Sequence, residues 1–179
     1  MKKVMLFVIV SGVLVCSAMA QNTTPLKIYS GGIGAGAMVG LEPEDDASSG
    51  QFLKLSFVNM WQFREQVALY ADVNWFAPGR NFGAEGGFSF MFSTSYFRPF
   101  FGFGVGGHSF ESEDGDFSTD FGPSATAHIG FMLEITETVQ IRARVPYYVV
   151  LNEARNQGAG FDVGIMFKSP LSGVKRIHP

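Results

Sequence analysis

Val139-Gln140-Ile141-Arg142-Ala143-Arg144-Val145-Pro146-Tyr147 reads as one extended strand with two unlike faces. Val139, Ile141, Ala143, Val145 and Tyr147 share one parity, and Gln140, Arg142 and Arg144 share the other. Because successive side chains of a strand point to opposite sides, the arginines stand together and the large apolar groups stand together. A soluble sandwich would turn its apolar face to a core and cover the outer face with Lys and Glu. Which face is outside must therefore be read from how the pattern recurs.

It recurs eight times, over roughly 26–41, 51–63, 66–76, 81–92, 98–110, 121–134, 138–149 and 158–168, the weak ten-residue alternation of transmembrane barrel strands. One parity is almost wholly apolar, as in Leu53, Leu55, Phe57 and Trp61, or Phe161, Val163, Ile165 and Phe167, with Asn59 the main polar intruder. The other holds Lys54, Ser56, Asp72, Asn74, Glu85, Ser89, His108, Thr126, His128, Gln140, Arg142, Arg144 and Asp162 among many glycines. Sparse charge amid Gly, Ser and Thr suits a narrow polar lumen better than a surface in bulk water. The expectation is an all-β, eight-stranded, antiparallel, up-and-down transmembrane β-barrel. The stretch around Met60 to Tyr70 also satisfies helical spacing, but Arg64-Glu65 reads as a tight turn between two alternating strands.

Composition agrees. The chain has 179 residues, 16% charged, with 22 Gly, 19 Phe and a net charge of −3. That lacks the clustered basic face of a nucleic-acid binder. Beyond residue 20 no run reaches the 18 or so apolar residues that a spanning helix needs. Met1 to Ala20 pairs Lys2 and Lys3 with the apolar run Val4 to Val15 and then Ser17-Ala18-Met19-Ala20, which predicts a cleavable secretory signal helix over residues 1–20. Val15 before Cys16 argues against lipoprotein processing. The barrel is assigned to 21–168 and a short periplasmic tail to 169–179. With Cys16 removed the exported chain carries no cysteine, so it is no disulfide scaffold.

The connections support the same reading. Those at 42–50, 111–120 and 150–157 are long and polar, while Arg64-Glu65, Ser93 to Phe97 and Ile135 to Glu137 are short. Outer-membrane barrels have short periplasmic turns and longer external loops; Ala77 to Arg80 is the exception. Aromatics gather near the strand ends as expected of interfacial girdles. Trp61, Phe63, Phe92, Tyr96 and Phe167 fall at the short-turn end, and Trp75, Phe76 and Tyr147 at the loop end.

With eight strands, a leader and Arg98-Pro-Phe-Phe-Gly-Phe-Gly-Val-Gly-Gly107, the chain resembles the small outer-membrane β-barrel superfamily that includes the membrane domain of outer-membrane protein A and the OmpX and OmpW proteins. The likeness is architectural and spans nearly all of 26–168. Gly160-Phe161-Asp162-Val163-Gly164-Ile165 is similar to the insertion signal read by the barrel-assembly machinery. The resemblance implies a monomer in a Gram-negative outer membrane, surrounded by membrane lipid and lipopolysaccharide, with no nucleic-acid partner.

An eight-stranded barrel is just wide enough for its own side chains, and an unpaired interior charge is costly. Lys54, Arg142 and Arg144 balance Asp72, Glu85 and Asp162. A hairpin centred near Pro78 sets Asp72 opposite Glu85, a like-charge pair that needs cations; Arg142 and Arg144, on the strand facing them across the barrel, are in reach. The tighter outer loop near Glu153 likewise sets Arg144 beside Asp162. With His108 and His128, these residues form the expected lumen network, a salt-bridge plug that closes the barrel. The inward glycines at 32, 34, 36, 102, 104 and 106 are expected to make room for long side chains opposite.

Chemical motifs weigh little against this. Gly102 to Gly107 satisfies the dinucleotide pattern and Gly32 to Ala37 nearly does, but neither opens a helix. His108 and His128 on neighbouring strands suggest a metal pair, without a third ligand at a convincing spacing. Lipid A deacylases and acyltransferases use this fold, yet Gly130 stands two residues beyond His128 where the deacylase pattern calls for Ser. No catalytic, cofactor-binding or metal-binding residue is assigned. The acidic loops Glu42 to Asp46 and Glu111 to Asp116 fall short of calcium-loop spacing but could share divalent cations with lipopolysaccharide phosphates. The expected role is structural or surface-interacting, with passage of small or apolar solutes as the alternative.

Overall fold

The computed structural model describes residues 25–41, 51–77, 81–93, 95–109, 121–151 and 157–170. The expected leader, the acidic loops and residues 171–179 lie outside the described residues. Eight strands, β1 (Pro25–Gly40), β2 (Gln51–Arg64), β3 (Val67–Ala77), β4 (Asn81–Met91), β5 (Phe97–Ser109), β6 (Phe121–Glu134), β7 (Val139–Val150) and β8 (Gln157–Pro170), follow one another around a closed barrel. Every neighbouring pair is antiparallel, and β1 closes on β8 through pairs from Ile28↔Pro170 to Gly40↔Gly158. Ser169 and Pro170 thus extend the last strand beyond the expected boundary at 168.

The Met60 to Tyr70 stretch is a hairpin, not a helix. Its turn sits at Glu65-Gln66, one residue later than expected, because the ladder shifts between Gln62 and Arg64. Phe63 is thereby an extra residue in β2, a bulge of the kind that bends a strand at a rim. At the other short connections hydroxyls replace backbone partners: Thr136 Oγ1 accepts from the amides of Thr138 and Val139 at 3.2 and 3.0 Å, and Ser93 Oγ from Ser95 at 3.1 Å. Such side-chain bonds to nearby amides are how Ser and Thr stabilise turns. The β7–β8 ladder has no pair at Val145 or Pro146 yet keeps its register on either side, as suits a proline, which has no N–H to give.

Apolar parity faces outward. Ile33, Phe57, Val105 and Ile129 are 64–71% exposed although each sits mid-strand. Asn59 is accommodated on that face because Tyr29 donates to its Oδ1 at 2.7 Å and its amide reaches the Ala71 carbonyl at 3.4 Å. Of the residues expected to form girdles, Phe63, Trp75, Phe92, Tyr96, Tyr147 and Phe167 are exposed, and Trp61 is half-buried against Tyr29, ring centres 5.6 Å apart. Phe76 is a correction. Next to Trp75, it has the opposite parity, is fully buried and packs inside against the ring of His108 at 5.9 Å. Phe90, of outward parity, is also buried, covered by Phe88, Phe101 and Phe103 at 5.2–6.5 Å.

The glycines divide in a way the sequence did not separate. A Cβ on Gly36 would lie 1.9 Å from the Phe161 carbonyl oxygen, on Gly32 2.0 Å from that of Ile165, and on Gly106 2.0 Å from that of Ala84. These positions admit the neighbouring backbone, not a distant side chain. Only Gly102 and Gly104 fit the expectation, leaving space for His128 and for the Tyr70 hydroxyl. Gly36→Ala is therefore expected to destabilise the barrel by about 1–3 kcal/mol, the usual overpacking cost. Gly86→Ala, whose Cβ meets nothing nearer than 3.4 Å, should shift the urea midpoint far less.

Candidate functional site

Among the described residues, charged side chains from many strands converge in the lumen. The register puts Asp72 opposite Glu85 and Arg144 opposite Asp162, while β7 faces β3 across the barrel. Arg142 Nη2 crosses to Asp72 Oδ2 at 2.7 Å. Arg144 Nη2 contacts Asp72 Oδ2 at 2.8 Å and Glu85 Oε1 at 2.9 Å, and its Nε donates to Asp162 Oδ2 at 2.9 Å. Lys54 Nζ reaches Asp162 Oδ2 at 2.7 Å and donates to the Tyr148 hydroxyl, also at 2.7 Å. All six charged groups are buried.

Arg144 is the hub, serving three carboxylates. With Lys54 and Arg142 it makes a group of three cations and three anions, whose mutual contacts offset the desolvation that burial imposes on each. The Asp72–Glu85 repulsion is relieved because one guanidinium bridges both. Neutral groups complete the layer: the Tyr148 hydroxyl and the Asn74 amide donate to Glu85 Oε1 at 3.3 and 3.4 Å, and Ser56 donates to Asn74 at 2.9 Å.

The histidines are in the lumen but at different heights. His108 pairs with Gly122 and His128 with Gly102, six residues apart along β5, or about 20 Å at the usual strand rise. They do not form a metal pair. Each meets a serine instead: His108 Nδ1 lies 2.7 Å from Ser124 Oγ and His128 Nε2 3.3 Å from Ser89 Oγ. Both are packed edge-on by aromatic rings, His128 by Tyr70 and Phe100, His108 by Tyr148. Among the described residues no three His, Cys, Asp or Glu side chains are grouped to hold a metal ion.

Sequence reasoning missed three further groups. At the short-turn end Glu134 is held between Arg98, which donates to it directly, and Lys168 at 2.8 Å; Arg98 also reaches Gln62 at 3.4 Å. Between this rim and the six charges lies an apolar cluster of Val58, Met60, Ala68, Met91, Phe100, Met132 and Met166. A smaller apolar cluster, Met38, Phe76 and Tyr148, lies toward the loop end. The inward face is thus not merely small and polar. Parity alone could have found all of these, since Met60, Met132 and Met166 alternate in step with Lys54, His128 and Asp162.

No known protein family and no curated protein matches this sequence. Solved structures do match its fold. Neisserial surface protein A (NspA) superposes with a TM-score of 0.64 at 13% identity, covering 78% of this chain and 96% of its own. The N-terminal β-barrel domain of Pseudomonas aeruginosa OprF gives 0.61 at 12% identity, covering 82% and 100%. Ail, the attachment invasion locus protein of Yersinia pestis, gives 0.53 at 13% identity, covering 80% and 99%. At these identities the likeness establishes the architecture: the chain has the fold of the small eight-stranded outer-membrane barrels.

Proposed function

We propose that this chain is a monomeric outer-membrane protein of a Gram-negative bacterium, with a structural or surface-interaction role, no catalytic activity and a lumen closed to solutes. The observation that carries the reading is the inversion of ordinary polarity. Large apolar side chains face outward along all eight strands, and three buried cations meet three buried anions inside. Only a hydrocarbon surround makes that exterior favourable. The barrel-assembly machinery and lipopolysaccharide are the partners this location implies.

Two features favour a non-catalytic role. The Ser89–His128 and Ser124–His108 pairs are buried in the lumen, away from the wall where a lipid acyl chain would lie. Around His128 no carboxylate among the described residues holds the far nitrogen of the ring in the way a nucleophile's base requires. Passage of solutes is disfavoured because the interior is filled by the chain's own side chains, as eight strands dictate.

The test has two parts. In the outer-membrane fraction the unheated protein should migrate differently on a gel from the boiled one. Reconstituted in planar bilayers, the folded wild type should give no nanosiemens-scale steps, and such steps would overturn the closed-lumen reading.

A further inference from the structure

Met60, Met91, Met132 and Met166 come from β2, β4, β6 and β8, every second strand of the wall. Following the pairings from Gly32 through Val58, Asp72, Glu85, Gly106 and Ser124 to Val150 leads from mid-height to the loop rim, so paired residues climb around the barrel. Allowing for that climb, the four methionines stand at one level. Ala68 and Phe100 add to the level from two of the intervening strands, the Phe100 ring lying where a Cβ on Gly130 would meet it at 2.8 Å. All four thioethers are at most 1% exposed.

We infer that this methionine layer is a second seal, in series with the salt-bridge layer, and that it keeps the lumen shut when the salt-bridge layer is weakened. The inference rests on the closed-lumen reading and says where the barrier lies. An ion or a water chain crossing a layer lined mainly by thioether, methyl and phenyl groups loses most of its hydration with little in exchange. Hydrophobic constrictions close pores in this way. Two polar side chains share the level on the remaining strands, Ser30 paired with Met60 and Gln140 with Met166, and the Gln62 and Gln140 amides turn to the sulfurs of Met91 and Met166 at 3.8 Å. Ser89 and His128 begin the polar region on the other side. The salt-bridge layer, by contrast, is built of groups that bind water well once a partner is lost.

The apolar group nearer the loops does not do the same job. Met38, Phe76 and Tyr148 come from β1, β3 and β7, and the wall facing them is Gly83, His108, Gly122 and Ser124. Methionine is also a common gap filler, but gap filling does not require one thioether from each alternate strand at a single height.

The test compares planar-bilayer conductance of the folded full chain in three forms: wild type, Asp72→Asn/Arg142→Gln, and that pair combined with Met60→Ser/Met132→Ser. Heat-modifiable migration checks folding of each; if the fourfold form does not fold, Met91→Ser/Met166→Ser on the same background replaces it. The charge-pair variant leaves Lys54 and Arg144 against Glu85 and Asp162, and is expected to be as silent as wild type. The fourfold form should pass from silence to resolved current steps. Conductance by the charge-pair variant overturns the inference, and so does silence in a folded fourfold form. Conductance by the wild type would instead remove the closed-lumen reading on which it rests.

Discussion

Arg144→Met is expected to destabilise the folded barrel by about 3–5 kcal/mol, the penalty for leaving buried charge without its partner. Arg144 is 2% exposed and lies within 2.9 Å of Asp72, Glu85 and Asp162. Without it three carboxylates share Lys54 and Arg142, and Asp72 again faces Glu85 with only Arg142 beside it. Arg144→Met/Glu85→Gln restores the balance, two cations against two anions, and should regain most of the loss. Urea unfolding in lipid vesicles, followed by the fluorescence of Trp61 and Trp75, measures both. A single-variant cost below about 1 kcal/mol, the range of solvated pairs, would mean that water already screens the network.

Ile129→Arg addresses the other face. Ile129 is 64% exposed, at mid-height in β6 between Phe101 and Val145 on the neighbouring strands. In a soluble barrel an arginine at so open a position would change stability little. In a bilayer it should cost about 2–4 kcal/mol, and Phe63→Arg, at the bulge beside the short turn, only about 0–1 kcal/mol. The contrast between the two positions in the same urea experiment is the result that matters. Equal and small effects would remove the lipid-facing assignment of the wall.

The barrel was legible because period-two alternation is a local property and every strand carries it. The β7 run that sets Arg142 and Arg144 apart from Val139 and Ile141 could be read without knowing its neighbours. The Asp72–Glu85 and Arg144–Asp162 pairs followed once hairpin turns fixed the register, since each pair needs only two adjacent strands. What escaped depends on more than two strands at once. The methionine layer draws on β2, β4, β6 and β8, and its members share a height only after the tilt of the strands is included. The Arg98–Glu134–Lys168 rim likewise joins β5, β6 and β8. Phe76 was placed on the wrong face by proximity to a rim, although its parity relative to Trp75 already pointed inward. The glycines misled because a missing side chain serves a neighbouring backbone as readily as a distant arginine, and sequence does not distinguish the two.

Seven of the eight strand pairings join consecutive strands, so each can zip outward from a nearby turn. The eighth, β1 with β8, must bring Ile28 to Pro170 across most of the chain, with the greatest loss of chain entropy of any pairing in the wall. That seam is also rich in glycine on both sides, with Gly32, Gly34, Gly36 and Gly40 on β1 and Gly158, Gly160 and Gly164 on β8. With no side chain at those glycines to be cleared from the approaching backbone, the pairing whose entropic barrier is highest meets little steric resistance.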